Sequence, residues 1–234
     1  MRPIKKGLSP GTFSQYKDYK PFLVNDLGIY CSYCERKIGT MLAVEHKQPE
    51  KKYPHLILNW DNFLLACVNC NSAKIDKDVT LTDYLFPDRD NTFYAFDYNE
   101  DGLVNPASHL SSNPGIEKKA QDTIDLVALN KYQNKNWTTD EILQGAIQRF
   151  GQRLNCFNDA KLSLILYNSN PIPELAMSIS LTAKNSGFFS IWMKVFENYS
   201  EVRKEIINAF KGTAQDCFDP VTTQPITPRT GGFI

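Results

Sequence analysis

Cys31-Ser32-Tyr33-Cys34, then Leu42-Ala43-Val44-Glu45-His46-Lys47-Gln48-Pro49, then Asn62-Phe63-Leu64-Leu65-Ala66-Cys67-Val68-Asn69-Cys70-Asn71-Ser72-Ala73-Lys74 is the stretch that decides how this chain is read. It contains two C-x-x-C units. Paired units of this kind in a reducing compartment point to a metal rather than to disulfides. Together they supply four thiolates, the donor set of a closed tetrahedral zinc site. A redox dithiol competes as a reading of one C-x-x-C, and two of them favour zinc. The 32 residues between Cys34 and Cys67 exceed the span of a plain zinc ribbon and need structure of their own. Met41 to Val44 reads as a strand ending at Glu45-His46, and a polar loop carries Lys51, Lys52, Tyr53, Pro54 and His55. Asn62 to Cys67 reads as a second strand, and Asn71 starts a short helix.

If a metal clamps the two knuckles together, the helix at Asn71 packs against the strand that ends in Glu45-His46. A carboxylate, an imidazole and a carboxamide then share one site. Glu45 and the Asn71 side-chain carbonyl are oxygen donors suited to a hard divalent ion. His46 offers an imidazole, the side-chain type suited to taking a proton from water near neutral pH. Neighbouring strand residues face opposite sides, so the chain is expected to bend between Glu45 and His46. Asn62 is placed to brace the loop and orient His46, and Lys74, one turn beyond Asn71, to meet a phosphate oxygen. Lys47, Lys51 and Lys52 are either a phosphate-facing patch or a solvated loop.

These residues, in this order and spacing, resemble the HNH endonuclease motif in its zinc-stapled form. The resemblance implies a ββα-metal core with His46 as general base, Glu45 and Asn71 as ligands of a catalytic Mg²⁺ or Mn²⁺, Asn62 as loop brace, and structural Zn²⁺ on Cys31, Cys34, Cys67 and Cys70. Two departures stand out. The pair at the strand end is Glu-His where Asp-His is commoner, and the third position is Asn rather than His. The opening Met1-Arg2-Pro3-Ile4-Lys5-Lys6, the knuckle Cys31-Ser-Tyr-Cys34-Glu35 and the run Thr123-Ile124-Asp125-Leu126…Leu129-Asn130 are similar to the PtuB-like HNH proteins of Septu and retron-associated anti-phage defence. That likeness implies a PtuA-like ATPase partner and a DNA substrate, with RNA left open.

Outward from this core, residues 12–27 carry aromatic and apolar positions at helical spacing interrupted by Pro21, predicting one kinked helix or two short ones. Aromatics from Tyr84 to Tyr98 and the turn Asn99-Glu100-Asp101-Gly102 predict a β-hairpin. The Asp97-x-Asn99-x-Asp101-Gly102 run begins like a calcium loop but has Ser108 where the bidentate Glu belongs. Helices are expected over 116–129, from caps at 138–141 to about 157, and over 159–168, 172–185 and 188–211. The Pro- and Thr-rich end is expected to stay irregular until something binds it.

The fold class expected is α+β: a basic arm and helix (1–27), the zinc-stapled core (28–78), a hairpin region (79–113), a helical domain (114–218) and a tail (219–234). Formal net charge is zero over 234 residues, which excludes a simple electrostatic coat for nucleic acid. Residues 1–77 carry 12 basic against 7 acidic side chains, and the remainder 14 against 19. No apolar run approaches the roughly 18–20 residues a bilayer span needs, and the chain reads as soluble, cytoplasmic and without membrane contact. The competing class is a zinc-stapled nucleic-acid-binding or adaptor module without chemistry, in which Asn71 is a helix cap and Glu45 and His46 are surface residues.

Overall fold

The computed structural model describes residues 1–131 and 140–234. A single 3₁₀ turn over Tyr16–Tyr19 leads into α1 (Lys20–Leu27). Pro21 lies in the first turn of α1, where its missing N–H would have had no helical partner. Gly28 ends the helix at φ 75°, and its N–H is taken by Val24 O. Then come β1 (Leu42–His46) and β2 (Phe63–Cys67), antiparallel, with Leu42 opposite Cys67 and His46 opposite Phe63. All five residues of β2 are buried, which is why it reads as a continuous apolar run rather than an alternating one. The helix α2 (Val68–Lys74) starts directly from Cys67, so the second knuckle is the strand-to-helix joint itself.

The segment beyond holds α3 (Thr92–Ala95) and the hairpin of β3 (Phe96–Tyr98) and β4 (Val104–Pro106). Its turn closes through Gly102 N–H to Asn99 O at 2.9 Å. Asp97 is spent on Lys194, in keeping with a hairpin rather than a cation loop. The helical region is α4 (Pro114–Leu126), α5 (Asp140–Ser169), α6 (Pro173–Ser186), α7 (Phe189–Val195) and α8 (Ser200–Ala209). Asn113 caps α4 by accepting from Ile116 N–H. Of the caps expected for the next helix, Thr138 and Thr139 lie outside the described residues. The fold is therefore α+β, with two small sheets, a helical C-terminal region and a clustered set of four cysteines. No helix among the described residues is long and apolar enough to cross a membrane.

Two helical expectations need correction. Residues 140–169 form one helix, not two, because no Gly or Pro interrupts the chain near Asn158. Conversely, 188–211 breaks at Phe196–Tyr199, where the polar Glu197-Asn198 pair turns the chain before Ser200. The last residues carry no α-helix or strand, as composition suggested, yet they are packed rather than waiting for a partner. Asn91 N–H donates to Ile234 O at 2.7 Å, Phe233 N–H to Asp90 Oδ1 at 2.8 Å, and Arg229 is buried against Pro87 O.

What fixes the first knuckle to the helices is Gly187. It sits at φ 81° between α6 and α7, and an added Cβ would lie 2.8 Å from both Glu35 O and Lys37 N. Phe188 N–H donates to Glu35 O at 3.0 Å across this contact. The Gly187→Ala variant is expected to lose about 2–4 kcal/mol, from left-handed strain and backbone overlap together. Thermal melts of the two proteins check this, and equal midpoints would mean the knuckle is not seated there.

Candidate active site and metal centre

Cys31, Cys34, Cys67 and Cys70 are all buried, and their sulfurs lie within 4.8 Å of one another. A tetrahedron of Zn–S bonds of about 2.3 Å places sulfurs about 3.8 Å apart, and Cys34 Sγ and Cys67 Sγ are at 3.7 Å. The donor set and spacing therefore fit a closed zinc site. The surroundings fit its charge as well. Arg149 donates from a fully buried guanidinium to Cys70 Sγ at 3.6 Å. Burial alone would pull Arg36 down, but the thiols of Cys34 and Cys67 outweigh it and hold its pKa above the usual value. The first knuckle is shaped by Glu35 at φ 62°. Its carboxylate accepts from Ser190 N–H at 3.0 Å and Ser190 Oγ at 2.6 Å. The knuckle then meets the hairpin through Ser32 N–H to Leu65 O at 2.7 Å.

Glu45, His46 and Asn71 line one cavity of about 310 Å³, with Tyr16, Pro49, Val68, Ser72, Lys74 and Ile75 among its walls. The bend expected between Glu45 and His46 is absent. The ladder stays in register through His46, and Lys47 N–H continues it to Asn62 O at 2.8 Å. The chain bends directly after His46, at Lys47-Gln48. There Asn62 Oδ1 accepts from Gln48 N–H at 2.9 Å and Asn62 Nδ2 donates to Gln48 O at 3.0 Å. Glu45 and His46 thus leave opposite faces of β1 and still reach the same cavity.

His46 Nε2 is 3.0 Å from Ile57 O. A carbonyl only accepts, so Nε2 carries the hydrogen and the neutral ring keeps a free lone pair on Nδ1. Tyr16 and Phe63 pack against the imidazole at centroid distances of 4.7 and 5.1 Å and limit its rotation. At Glu45 two effects oppose. Burial raises its pKa and Lys74, with Nζ 2.9 Å from Oε1, lowers it; burial wins, and the carboxyl is pushed up to about 7. Oε1 is off the hydrogen-bonding direction of that ammonium and accepts no other bond. A buried, under-satisfied carboxylate oxygen in a residue that shares its cavity with Asn71 suits a hard cation.

The lysines divide. Lys74 is 1 % exposed and turned inward, donating to His46 O at 2.6 Å while it pairs with Glu45. Asn71 and Lys74 share a side of α2 and both line the cavity, but the Lys74 ammonium, expected from the sequence to meet a phosphate, is turned onto Glu45 and the His46 carbonyl. Lys47 is likewise buried, 2.7 Å from Asp88. Burial would raise Asp88, but Lys47 and Lys6 outweigh it and hold the carboxyl below the usual range. Lys51 and Lys52 remain at the surface, paired with Asp76 at 2.5 Å and Asp78 at 3.2 Å. Exposed pairs of this kind contribute little and exchange readily for another anion. Asp78 and Asp88, which follow residue 77, thus offset part of the basic surplus of residues 1–77.

Tyr16, Ile57 O and Arg149 were not among the residues singled out from sequence. Tyr16 lies in an aromatic run that reads as helix packing, and Ile57 acts through its backbone, which has no side-chain signature. Arg149 is distant in the chain, and a buried arginine in a long helix looks like any surface one.

With this geometry in place, comparison with known proteins is informative. Residues 31–77 match the family model described as HNH endonuclease. A relative from Bacillus thuringiensis, Septu protein PtuB, is 28 % identical over 108 residues, which is 43 % of this chain and 37 % of that protein. The chain thus spans little more than a third of that curated relative. Residues 31–77, the two knuckles with the strand pair and helix between and after them, are an HNH endonuclease domain.

Proposed function

We propose that this protein is a metal-dependent endonuclease that hydrolyses DNA phosphodiester bonds, acting as the nuclease subunit of an anti-phage defence complex gated by a PtuA-like ATPase. The observation that carries the reading is the convergence of Glu45, His46 and Asn71 on one cavity beside a four-cysteine centre. The defence setting and the ATPase rest on the likeness to Septu protein PtuB.

In this reading Glu45 and Asn71 hold Mg²⁺ or Mn²⁺. Such an ion, when bound, supplies positive charge to the phosphate and the leaving oxygen. His46, its Nε2–H fixed on Ile57 O, takes the proton of the attacking water at Nδ1. Asn62 positions it indirectly by locking the turn that follows β1. Lys51 and Lys52, whose present partners are solvent-exposed aspartates, are the lysines free to meet phosphates. Lys47 and Lys74 shape the site from inside. Cys31, Cys34, Cys67 and Cys70 hold structural zinc.

The test is cleavage of supercoiled plasmid with Mg²⁺ or Mn²⁺, run with the chain alone and with a neighbouring ATPase where one is encoded, and with RNA in parallel. Wild type is expected to cut. His46→Ala at matched zinc content is expected to cut between about 10² and 10⁴ times more slowly. A folded, zinc-loaded wild-type protein that cuts neither DNA nor RNA under any of these conditions would sink the nuclease reading in favour of a binding module.

A further inference from the structure

Ile75 follows the last residue of α2 with φ 39° and ψ −124°. Lys77 N–H donates to Lys74 O at 3.1 Å, so Lys74-Ile75-Asp76-Lys77 is a tight turn with Ile75 at its first central position. Those angles are the type II′ geometry, a position that belongs to glycine. A β-branched residue is strained there. Packing does not account for it: the side chain is 64 % exposed and joins no core cluster. It stands instead at the wall of the cavity that holds Glu45 and His46. Val68, 51 % exposed, lines the same cavity. Val68, Asn71 and Ser72 share one face of α2, and with Ile75 just past its end they line the site.

Resting on the nuclease reading above, we propose that Ile75, flanked by Val68, is a substrate-contacting residue. It acts as an apolar wedge that meets a base or sugar beside the phosphate to be cut and loosens the stacking there. Exposed Ile and Leu side chains do this in proteins that insert between base steps. The substrate class follows: nucleic acid with a deformable or weakly stacked step at the cut, because such a step costs least to open. Charge is not the recognition device at this wall, since Lys74 behind it is buried and paired.

The test uses Ile75→Gly and Ile75→Val in the full chain. Glycine relieves the turn and removes the wedge, and valine keeps both strain and wedge. The Ile75→Gly melting midpoint is expected to rise by about 2–4 °C, the shift that a relief of this kind brings in a chain of this size. Its cleavage efficiency is expected to fall about tenfold or more, with the loss in KM, while Ile75→Val stays close to wild type. A second arm needs no cleavage. His46→Ala protein is bound to a short DNA duplex carrying 2-aminopurine, with an RNA duplex in parallel, in Mg²⁺. The fluorescence should brighten on binding, and stay dark with His46→Ala/Ile75→Gly. If wild type cuts nothing, the nuclease reading fails, and the binding arm still decides the wedge. A glycine variant that cuts and brightens like its parent overturns the proposal. So does one whose midpoint falls, because the side chain would then be structural, and so does absence of binding by both proteins.

Discussion

The Cys70→Ser variant, or protein stripped of its ion by a chelator, is expected to lose the fold of residues 31–77 altogether. The four sulfurs are buried within 4.8 Å of one another, and the two knuckles join the sheet to the chain on either side of it. Between them lie a two-stranded hairpin, which is marginal on its own, and two single 3₁₀ turns over Pro54–Leu56 and Trp60–Asn62. Structural zinc in knuckle peptides contributes an apparent 10–16 kcal/mol or so, against roughly 5–15 kcal/mol for the net stability of a whole domain. Without the ion, four thiols and the guanidinium of Arg149 are left buried with poor partners. Metal analysis should find one zinc per wild-type chain. Far-ultraviolet circular dichroism and thermal melts should show the loss of structure in the variant. A chain proven metal-free that melts like wild type would rule out a structural role for the centre.

The second large effect is at Lys74. Its ammonium is 1 % exposed, donates to His46 O and lies 2.9 Å from Glu45 Oε1. Replacement by Met keeps most of the volume but leaves Glu45 buried with no cation. Breaking a buried pair from one side costs about 3–5 kcal/mol. In a chain of this size that lowers the melting midpoint by about 10 °C or more. Adding Glu45→Gln removes the carboxyl that would otherwise have to take up a proton or stay charged without its cation, so the double variant should recover about 1–3 kcal/mol relative to additive losses. A phosphate-binding Lys74 gives the opposite pattern: the single variant melts like wild type and loses only affinity for nucleic acid. A double-mutant cycle by chemical denaturation separates the two.

The parts of this molecule that were legible in the sequence are those in which residue type and spacing carry the whole constraint. Two C-x-x-C units have few ways to satisfy four thiols, and the strands and helix between and after them follow from short apolar runs and turn residues. Pro21, Gly102 and Asn113 likewise mark their own positions through backbone chemistry. Direction was not legible. Lys74 lies one turn from Asn71, and nothing in its type says whether it points at solvent or at Glu45. The unbroken ladder through His46 was missed for a related reason. Alternation along a strand asks for a bend between Glu45 and His46, whereas the ladder holds through His46 and the chain bends at Lys47-Gln48, where Asn62 braces it. Tyr16 against His46 and Arg149 against Cys70 are long-range contacts with no local pattern.

Glu35 and Gly187 bring a last consequence. The carboxylate that holds Ser190, the carbonyl that takes Phe188 N–H and the glycine that lets the two backbones meet all join the knuckle to the α6–α7 corner. The nuclease segment is therefore not a portable cassette. Cut out at residue 78 and grafted elsewhere, it would carry severed anchor points at Glu35. Its alignment is inherited from helices far along the chain, and whatever tilts that corner also re-aims the hairpin that carries Glu45 and His46.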